Sequence, residues 1–161
     1  IAASTKPVSF SHDQARSLKD VPRNKPDHLL KAVADKGGII GVSIFTPGMP
    51  KGNESTVDDY IASIEHMIDI VGEDHVGIGT DFSQAHARPG PFQDWANRDK
   101  GYARVLTPFG TAKILKPEGI RTIKEMPNVT EAMVRAGWTE ERILKVLGSN
   151  WLRVLDEVWS V

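Results

Sequence analysis

The feature that most constrains the fold of this chain is a regular alternation of strand and helix patterns along its N-terminal half. Residues 6–12, 38–45 and 75–82 are short segments whose patterns are typical of strands. Residues 26–38 and 55–72 lie between them and carry apolar side chains at helical spacing. One strand with its helix takes about 30 residues, the size of a βαβ unit. The sequence therefore predicts parallel strands joined by right-handed crossovers.

Two of the strand patterns carry further information. The stretch "GIIGVSIF" at residues 38–45 is almost continuously apolar, which predicts a strand covered on both faces of a parallel sheet. The third pattern contains Gly77 and Gly79, which indicates that another part of the chain passes close to this strand. The helical pattern between these two strands, residues 55–72, is expected to begin with Ser55 or Thr56 as its N-cap.

The second half of the chain has a different character. Residues 83–118 are rich in Gly, Pro and aromatic side chains and are longer than an ordinary connection. We expect this segment to be a long loop over the active-site face. Residues 128–137, 139–150 and 151–159 follow as helical patterns. We interpret residues 1–161 as one partial domain.

Composition and charge exclude several classes of function. The 161 residues are 40% hydrophobic and 25% charged, as in a soluble globular protein, and the net charge of −1 provides no field for nucleic acid. The absence of cysteine rules out disulfides, thiolate zinc sites and a cysteine nucleophile. No apolar run is long enough for a bilayer, and the start "IAASTKPVSF" resembles no signal peptide, so localisation is not assigned. The start also lacks a Met, so we expect the chain to begin within a longer gene product.

Ionisable residues gather where the predicted strands end. His12 ends the first strand, Arg23 follows it by eleven residues, and Asp81 lies near the end of the third strand. Active sites of parallel α/β proteins lie at the carboxyl ends of strands, where the strands are rigid and the loops are free to vary. A closed barrel needs eight strands. The pattern therefore fits either a small open α/β sheet or the last part of a larger barrel.

Each of these residues also has an ordinary structural interpretation. His12 is equally consistent with a core or solvent-facing side chain, Arg23 with a surface ion pair, and Asp81 with the N-cap of a helix. The remaining histidines have weaker claims to function, namely His28, His66, His75 and His86. In the long loop, the aromatic side chains are expected to form a small satellite core, with closure over a ligand as the alternative; they are Phe92, Trp95 and Tyr102.

Four motifs in combination carry a resemblance to a known family. The stretches "SFSHDQ", "VPRNKPDHLL", "HVGIGTDF" and "GWTEERILKVLGSNWLRVL" resemble the C-terminal half of the membrane (renal) dipeptidase family, peptidase M19. The resemblance spans about residues 6–155. It implies an α/β fold that is the C-terminal portion of a TIM-like (β/α)8 barrel, with three parallel strands followed by C-terminal helices. Members of this family are amidohydrolase-like hydrolases with two zinc ions.

The resemblance also implies a role for each candidate residue. His12 corresponds to a zinc ligand, Arg23 to the residue that binds the free carboxylate of the substrate, and Asp81 to the catalytic carboxylate that handles the proton. The implied function is a zinc-dependent dipeptidase that tolerates a D-residue on the C-terminal side. Its implied ligands are two zinc ions per intact site and a dipeptide substrate. From the charge and the lack of a long apolar run, we expect no nucleic-acid or membrane contact.

The chain departs from the family pattern at two places. The family commonly has "DFDG" where this chain has "DFSQ" at residues 81–84, and it often has small residues where Asp13 and Gln14 follow His12. Both departures lie beside the reactive positions. They bear on substrate range more than on metal binding.

The family's first His-x-Asp, its bridging Glu and another His have no counterpart here. We therefore expect the isolated chain to be inactive, and to associate with a missing N-terminal half or with itself. We also expect an unpaired strand edge around Gly38. The alternative hypothesis is a non-catalytic α/β binding or assembly module derived from such a hydrolase. A metal-independent barrel enzyme that uses Asp81 as a base is a third.

Overall fold

The structure is a computed structural model that describes residues 1–82 and 114–160. Within these residues, a three-stranded parallel sheet is formed by β1 (Ser9–Asp13), β2 (Ile39–Val42) and β3 (Val76–Ile78), in that order. The predicted parallel strands are therefore confirmed. β2 and β3 end three and four residues before their sequence patterns do, because backbone pairing stops where the chain turns away into the loops at the carboxyl end. β1 instead begins three residues later than its pattern and extends one residue beyond it.

The central position of β2 explains its composition. All four of its residues are buried, as the continuous apolar run predicts. The register pairs Ile39 with Ser9 on one side, and Ile40 with Val76 on the other. The expectation of an unpaired edge around Gly38 is therefore wrong, since this strand is paired on both sides. Within the described residues, the outer strands are β1 and β3.

The two crossover helices are α1 (Asp27–Ala34) and α2 (Val57–Val71). Thr56 is the N-cap of α2: its side chain accepts from the Asp59 backbone, and the Asp59 carboxylate accepts from the Thr56 backbone. This reciprocal pair is a capping box. Burial alone would raise the pKa of Asp59, but hydrogen bonds from Lys51 and Thr56 lower it in net.

The apolar face of α2 lies on the sheet and joins the core. Tyr60, Ile64 and Met67 are fully buried there. The Tyr60 hydroxyl donates to the Val42 carbonyl oxygen at 2.8 Å, at the end of β2. Burial raises the pKa of Tyr60, so the hydroxyl stays protonated and remains a donor. This bond fixes α2 to the end of the central strand.

Three helices follow in the second described segment, α3 (Pro127–Arg135), α4 (Glu140–Leu144) and α5 (Asn150–Trp159). A π-helical turn, Lys145–Ser149, joins α4 directly to α5, so the second and third C-terminal patterns form one interrupted helix. No helix in the two described segments combines the length and the apolar character needed to cross a membrane.

The C-terminal helices are fastened to the amino ends of the strands. Asn150 Nδ2 donates to the carbonyl oxygens of Glu73 and Val76 at 2.7 and 2.8 Å. The indole of Trp151 crosses β3, and a Cβ at Gly77 would lie only 2.5 Å from its Nε1. The close approach predicted from the glycine in this strand is thus the contact with Trp151. This end of the sheet is covered, and the carboxyl end remains available for a site.

A charged cluster strengthens the same attachment. The Glu73 carboxylate contacts Lys145 Nζ at 2.9 Å and Arg142 Nε at 3.0 Å. Hydrogen bonds from Lys145 and Arg142 lower the pKa of Glu73. In turn, hydrogen bonds to Glu73, Asp74 and Glu141 raise the pKa of Lys145. The cluster ties α4 and the π-helical turn to the segment before β3.

At the opposite end of the sheet, one amide organises the loops. Asn24 is 1% exposed, and its Nδ2 donates to the carbonyl oxygens of Lys19 and Gly48 at 2.9 Å each, and of Ala15 at 3.3 Å. A parallel bridge between Ala15 and Lys25 closes the same loop. Asn24 therefore holds the loop after β1 against the loop after β2.

We predict that Asn24→Ala destabilises the fold by about 2–4 kcal/mol, because it leaves buried carbonyl oxygens without donors. Urea unfolding measures this change. Asn128→Ala is the matched control: its amide makes one hydrogen bond, to the Gly119 carbonyl oxygen, and should cost about 1 kcal/mol. Equal losses in the two variants would contradict the role given to Asn24.

We predict that Glu73→Gln removes part of the acid sensitivity of the protein. The folded-state pKa of Glu73 is depressed, so its contribution to stability is present above its unfolded-state pKa and is lost as pH falls through the folded value. Thermal unfolding between neutral and acidic pH should show Glu73→Gln melting a few degrees lower at neutral pH and converging with the parent in acid. The exposed Glu131→Gln is the control and should follow the parent at every pH. A constant offset for Glu73→Gln across the range would contradict the prediction.

Candidate functional site

His12 and Asp81 meet at the carboxyl end of the sheet. His12 is the next-to-last residue of β1, Asp81 follows β3, and His12 Nε2 lies 3.9 Å from Asp81 Oδ2. This distance is too long for a direct hydrogen bond. It nevertheless shows that both side chains lie at the same end of the sheet. Their side chains are 39% and 67% exposed, so both are accessible to a ligand.

The orientation of the His12 ring is set by its neighbour. His12 Nδ1 lies 2.8 Å from the Ser11 hydroxyl, which leaves Nε2 directed toward Asp81. An imidazole nitrogen beside a carboxylate oxygen is a donor pair that suits zinc. Among residues 1–82 and 114–160, no group of three or more His, Asp or Glu side chains is placed to hold a metal ion. His12 and Asp81 therefore fit one part of a zinc site, and the described residues do not complete it.

Asp81 has an unusual backbone conformation. Its φ of 53° lies in the left-handed region, and it is the one non-glycine residue in the described segments with a positive φ. Such a conformation is rare for a side chain with a Cβ, although Asp tolerates it better than most residues. Strained residues of this kind cluster at functional sites. The conformation is not that of a helix N-cap, which was the ordinary interpretation of Asp81.

Arg23 is folded back against the end of β1. Its Nη2 donates to the His12 carbonyl oxygen and its Nη1 to Asp13 Oδ1, both at 3.2 Å. The guanidinium lies 5.7 Å from the centre of the Phe45 ring. The side chain is 21% exposed, so it is held within the site and does not extend into solvent.

Asp13 brings a second cation to the same place. Its side chain is 9% exposed, and Oδ1 contacts Lys25 Nζ at 2.9 Å in addition to Arg23. The Lys25 ammonium also lies 5.6 Å from the centre of the Phe10 ring. Two cations thus surround one buried carboxylate. The cluster keeps one net positive charge, which favours an anionic ligand.

A shallow pocket opens beside the guanidinium. It is lined by His12, Asp13, Gln14, Arg23, Asn24, Ser43, Phe45 and Gly48. Two of these lining residues, Gln14 and Asn24, have a buried side-chain oxygen, Oε1 and Oδ1, without a hydrogen-bond partner among the described residues. The lining of the pocket is therefore partly polar. A Cβ at Gly48 would lie 2.7 Å from Asn24 Oδ1, which explains the glycine at this position.

The other candidates lie elsewhere. His28 is in α1, and His66 in α2 contacts the Ser17 hydroxyl at 2.8 Å. His75 precedes β3, where its Nδ1 lies 2.9 Å from the Gly38 carbonyl oxygen at the amino end of the sheet. The described residues therefore bring together His12, Arg23 and Asp81 and leave these three histidines apart. His86, the aromatic side chains Phe92, Trp95 and Tyr102, and most of the loop predicted at residues 83–118 lie outside the described segments.

Sequence reasoning missed three contributors to the site. Lys25 and Phe45 carry no motif that distinguishes them from surface and core residues. Asp13 stands out only as a departure from the pattern of related sequences, and the contact with Arg23 depends on how the loop after β1 folds back.

The sequence is similar to curated proteins that are named as dipeptidases. Dipeptidase tcpJ of Claviceps purpurea is 31% identical over 157 residues, which are 96% of this chain and 30% of that protein. Dipeptidase ataJ of Aspergillus terreus is 29% identical over 163 residues, 100% of this chain and 33% of that protein.

Solved structures agree with the fold. An amidohydrolase from Pseudomonas aeruginosa is 51% identical, with a TM-score of 0.87 over 98% of this chain and 47% of that chain. A metallo peptidase from Rhodobacter sphaeroides, liganded with a phosphinate mimic of the dipeptide L-Ala-D-Ala, is 24% identical, with a TM-score of 0.70 over 97% of this chain and 37% of that chain. The predicted fold, a portion of a TIM-like barrel followed by helices, is confirmed.

The chain spans less than half the length of each of these relatives. The family model described as membrane dipeptidase (peptidase family M19) matches residues 1–106 and 108–161, almost the whole sequence. With the site at the carboxyl ends of parallel strands, this match identifies the chain as a member of the membrane dipeptidase family of hydrolases.

Proposed function

We propose that this chain contributes His12, Arg23 and Asp81 to the active site of a zinc-dependent dipeptidase. The observation that carries the proposal is the convergence of the three residues at the carboxyl end of one sheet. His12 Nε2 faces Asp81 Oδ2 at 3.9 Å, and Arg23 is bound to the His12 carbonyl oxygen. Three residues separated by almost seventy positions thus share one edge of the fold.

His12 is the metal ligand in this proposal. Its Nδ1 contacts the Ser11 hydroxyl, so Nε2 is the nitrogen available to a metal ion. When bound at the intact site, two zinc ions would supply the Lewis acidity that lowers the pKa of water and polarises a peptide carbonyl. Relatives with the described fold are named as metallopeptidases, which is consistent with a metal at this position.

Asp81 is the catalytic carboxylate. It is well exposed, lies beside the proposed metal ligand, and is held by a left-handed backbone that limits where its carboxylate can point. In this role it accepts a proton from the attacking water and passes it to the leaving amine. Because Asp81 Oδ2 lies 3.9 Å from the nitrogen proposed to bind the metal, the carboxylate is close to the position where the attacking water would be held.

Arg23 binds the free carboxylate of the substrate. A planar guanidinium recognises a carboxylate with two parallel hydrogen bonds, and the surplus positive charge of Arg23 and Lys25 over Asp13 adds attraction. A dipeptide offers such a carboxylate next to its single peptide bond. The Rhodobacter sphaeroides structure with an L-Ala-D-Ala mimic supports a site of this class that accepts a D-residue on the C-terminal side.

The proposal requires ligands from outside the described residues, because His12 and Asp81 alone do not make a three- or four-ligand site. We propose that they come from another polypeptide segment, either a missing N-terminal half or a second copy of this chain. The isolated chain would then be inactive until it associates. The outer strands β1 and β3 offer backbone edges for that association.

We predict separate effects for Asp81→Asn and Arg23→Ala on dipeptide hydrolysis by the native assembly. Loss of the proton-transfer group should lower kcat by about 10²–10⁴-fold. Loss of the carboxylate-binding group should mainly raise KM, by about tenfold or more. Steady-state kinetics on an L,D-dipeptide measures both values.

The exposed residues Asp69 and Arg121 provide matched controls, as Asp69→Asn and Arg121→Ala, and should leave both parameters unchanged. Retention of full kcat by a folded Asp81→Asn protein would contradict the catalytic role. An assembly that folds and carries zinc but shows no dipeptide hydrolysis would favour the non-catalytic binding module.

A further inference from the structure

Asp13 is a nearly buried carboxylate that the proposed reaction does not use. It directly follows His12 in the sequence. Its side chain is 9% exposed and its Oδ1 is shared by Arg23 Nη1 at 3.2 Å and Lys25 Nζ at 2.9 Å. A buried carboxylate is costly unless it is paired. This one is paired with the residue proposed to bind substrate.

The contact with Asp13 defines how Arg23 is presented. One N–H of Nη1 is used by Asp13 and one N–H of Nη2 by the His12 carbonyl oxygen. The guanidinium is thereby held over the Phe45 ring and at the wall of the pocket. A guanidinium has five N–H donors in a fixed plane, so fixing two of them sets the direction of the others. The remaining donors are those that a ligand can use.

We propose that Asp13 is the positioning residue for Arg23 and that it fixes the guanidinium in the orientation that binds a ligand carboxylate. The inference rests on the proposed function, because it refines how Arg23 recognises a single carboxylate. It assigns a role to a residue that touches neither the metal nor the reacting bond.

Lys25 makes this arrangement compatible with anion binding. Without it, the Asp13 charge would cancel that of Arg23 and would repel an incoming carboxylate. The Lys25 ammonium lies on the same Oδ1 and restores the positive balance. Lys25 is itself placed by the Ala15 to Lys25 bridge and by the Phe10 ring. Asp13 can therefore hold Arg23 in place without removing its attraction for an anion.

Asp13 could position Arg23 or compete with the ligand for it, and the two roles predict opposite changes in ligand affinity when Asp13 is removed. If Asp13 positions Arg23, removing the carboxylate frees the guanidinium to adopt other orientations and weakens ligand binding. If Asp13 competes with the ligand for Arg23, removing it strengthens binding. The sign of the change in affinity therefore decides between the two roles.

The test measures binding of N-acetyl-D-alanine and of its amide to the native assembly by calorimetry. The parent should prefer the carboxylate over the amide. Asp13→Ala should weaken carboxylate binding about tenfold or more, as expected for loss of a charge-assisted hydrogen bond that fixes the binding group. Asp13→Asn keeps an acceptor and should weaken it by about threefold. Asp20→Ala is the control, since Asp20 is 91% exposed on the same loop and pairs with Arg16 at 3.8 Å.

A second readout follows Arg23 itself. The Nη–H resonances of Arg23, which belong to the nitrogens bound by Asp13 and by the His12 carbonyl oxygen, are assigned with Arg23→Lys and should exchange slowly with water in the parent and in Asp20→Ala. They should broaden or disappear in Asp13→Ala. Asp13→Asn provides the same comparison if Asp13→Ala does not fold.

Equal or tighter carboxylate binding by a folded Asp13 variant would overturn the proposal and leave the role of Arg23 intact. A parent that does not distinguish the carboxylate from the amide would overturn the proposed role of Arg23, and the positioning role with it.

Discussion

Parallel pairing of three strands is the constraint on which the rest of this structure depends. Because β1, β2 and β3 run in the same direction, their carboxyl ends share one edge, and residues distant in sequence are brought together there. The C-terminal helices bind the amino end of β3 through Asn150 and cover the strand itself through Trp151, which donates to the Ile78 carbonyl oxygen. The C-terminal helices thus cover the amino edge, whereas the carboxyl edge carries the accessible side chains of His12 and Asp81.

The sequence predicts those elements of the structure that are determined by residues close to one another along the chain. The continuous apolar run of β2 specifies a strand buried on both faces, and the polar residues at Thr56 and Asp59 specify the start of α2. The placement of His12 and Asp81 at the carboxyl end of the sheet is also predictable, because each lies at or just after a strand. Arg23 is suggested only by its spacing from His12, and the roles of all three residues stay proposals. In each case the signal lies within a short stretch of chain, where periodicity, capping and strand ends can be recognised.

The remaining features depend on contacts between distant segments. The strand pattern at residues 38–45 does not say where pairing with its neighbours stops, so β2 is shorter than its apolar run. The contact of Asp13 with Arg23 and Lys25 exists only because the loop after β1 is folded back by Asn24. The left-handed backbone of Asp81 likewise has no local signal of the kind that a glycine gives. Tertiary packing supplies this information.

In the proposed function, the carboxyl edge of the sheet forms one wall of a metal-dependent hydrolytic site, to which His12 contributes the ligand nitrogen, Arg23 the carboxylate-binding cation and Asp81 the proton carrier. The most direct measurement is anomalous diffraction at the zinc absorption edge, on crystals of the native assembly grown with zinc. If His12 is a zinc ligand, the map should show an anomalous peak at about 2.0–2.1 Å from His12 Nε2, on the side that faces Asp81. Zinc bound only at other positions, with His12 Nε2 unliganded, would contradict it.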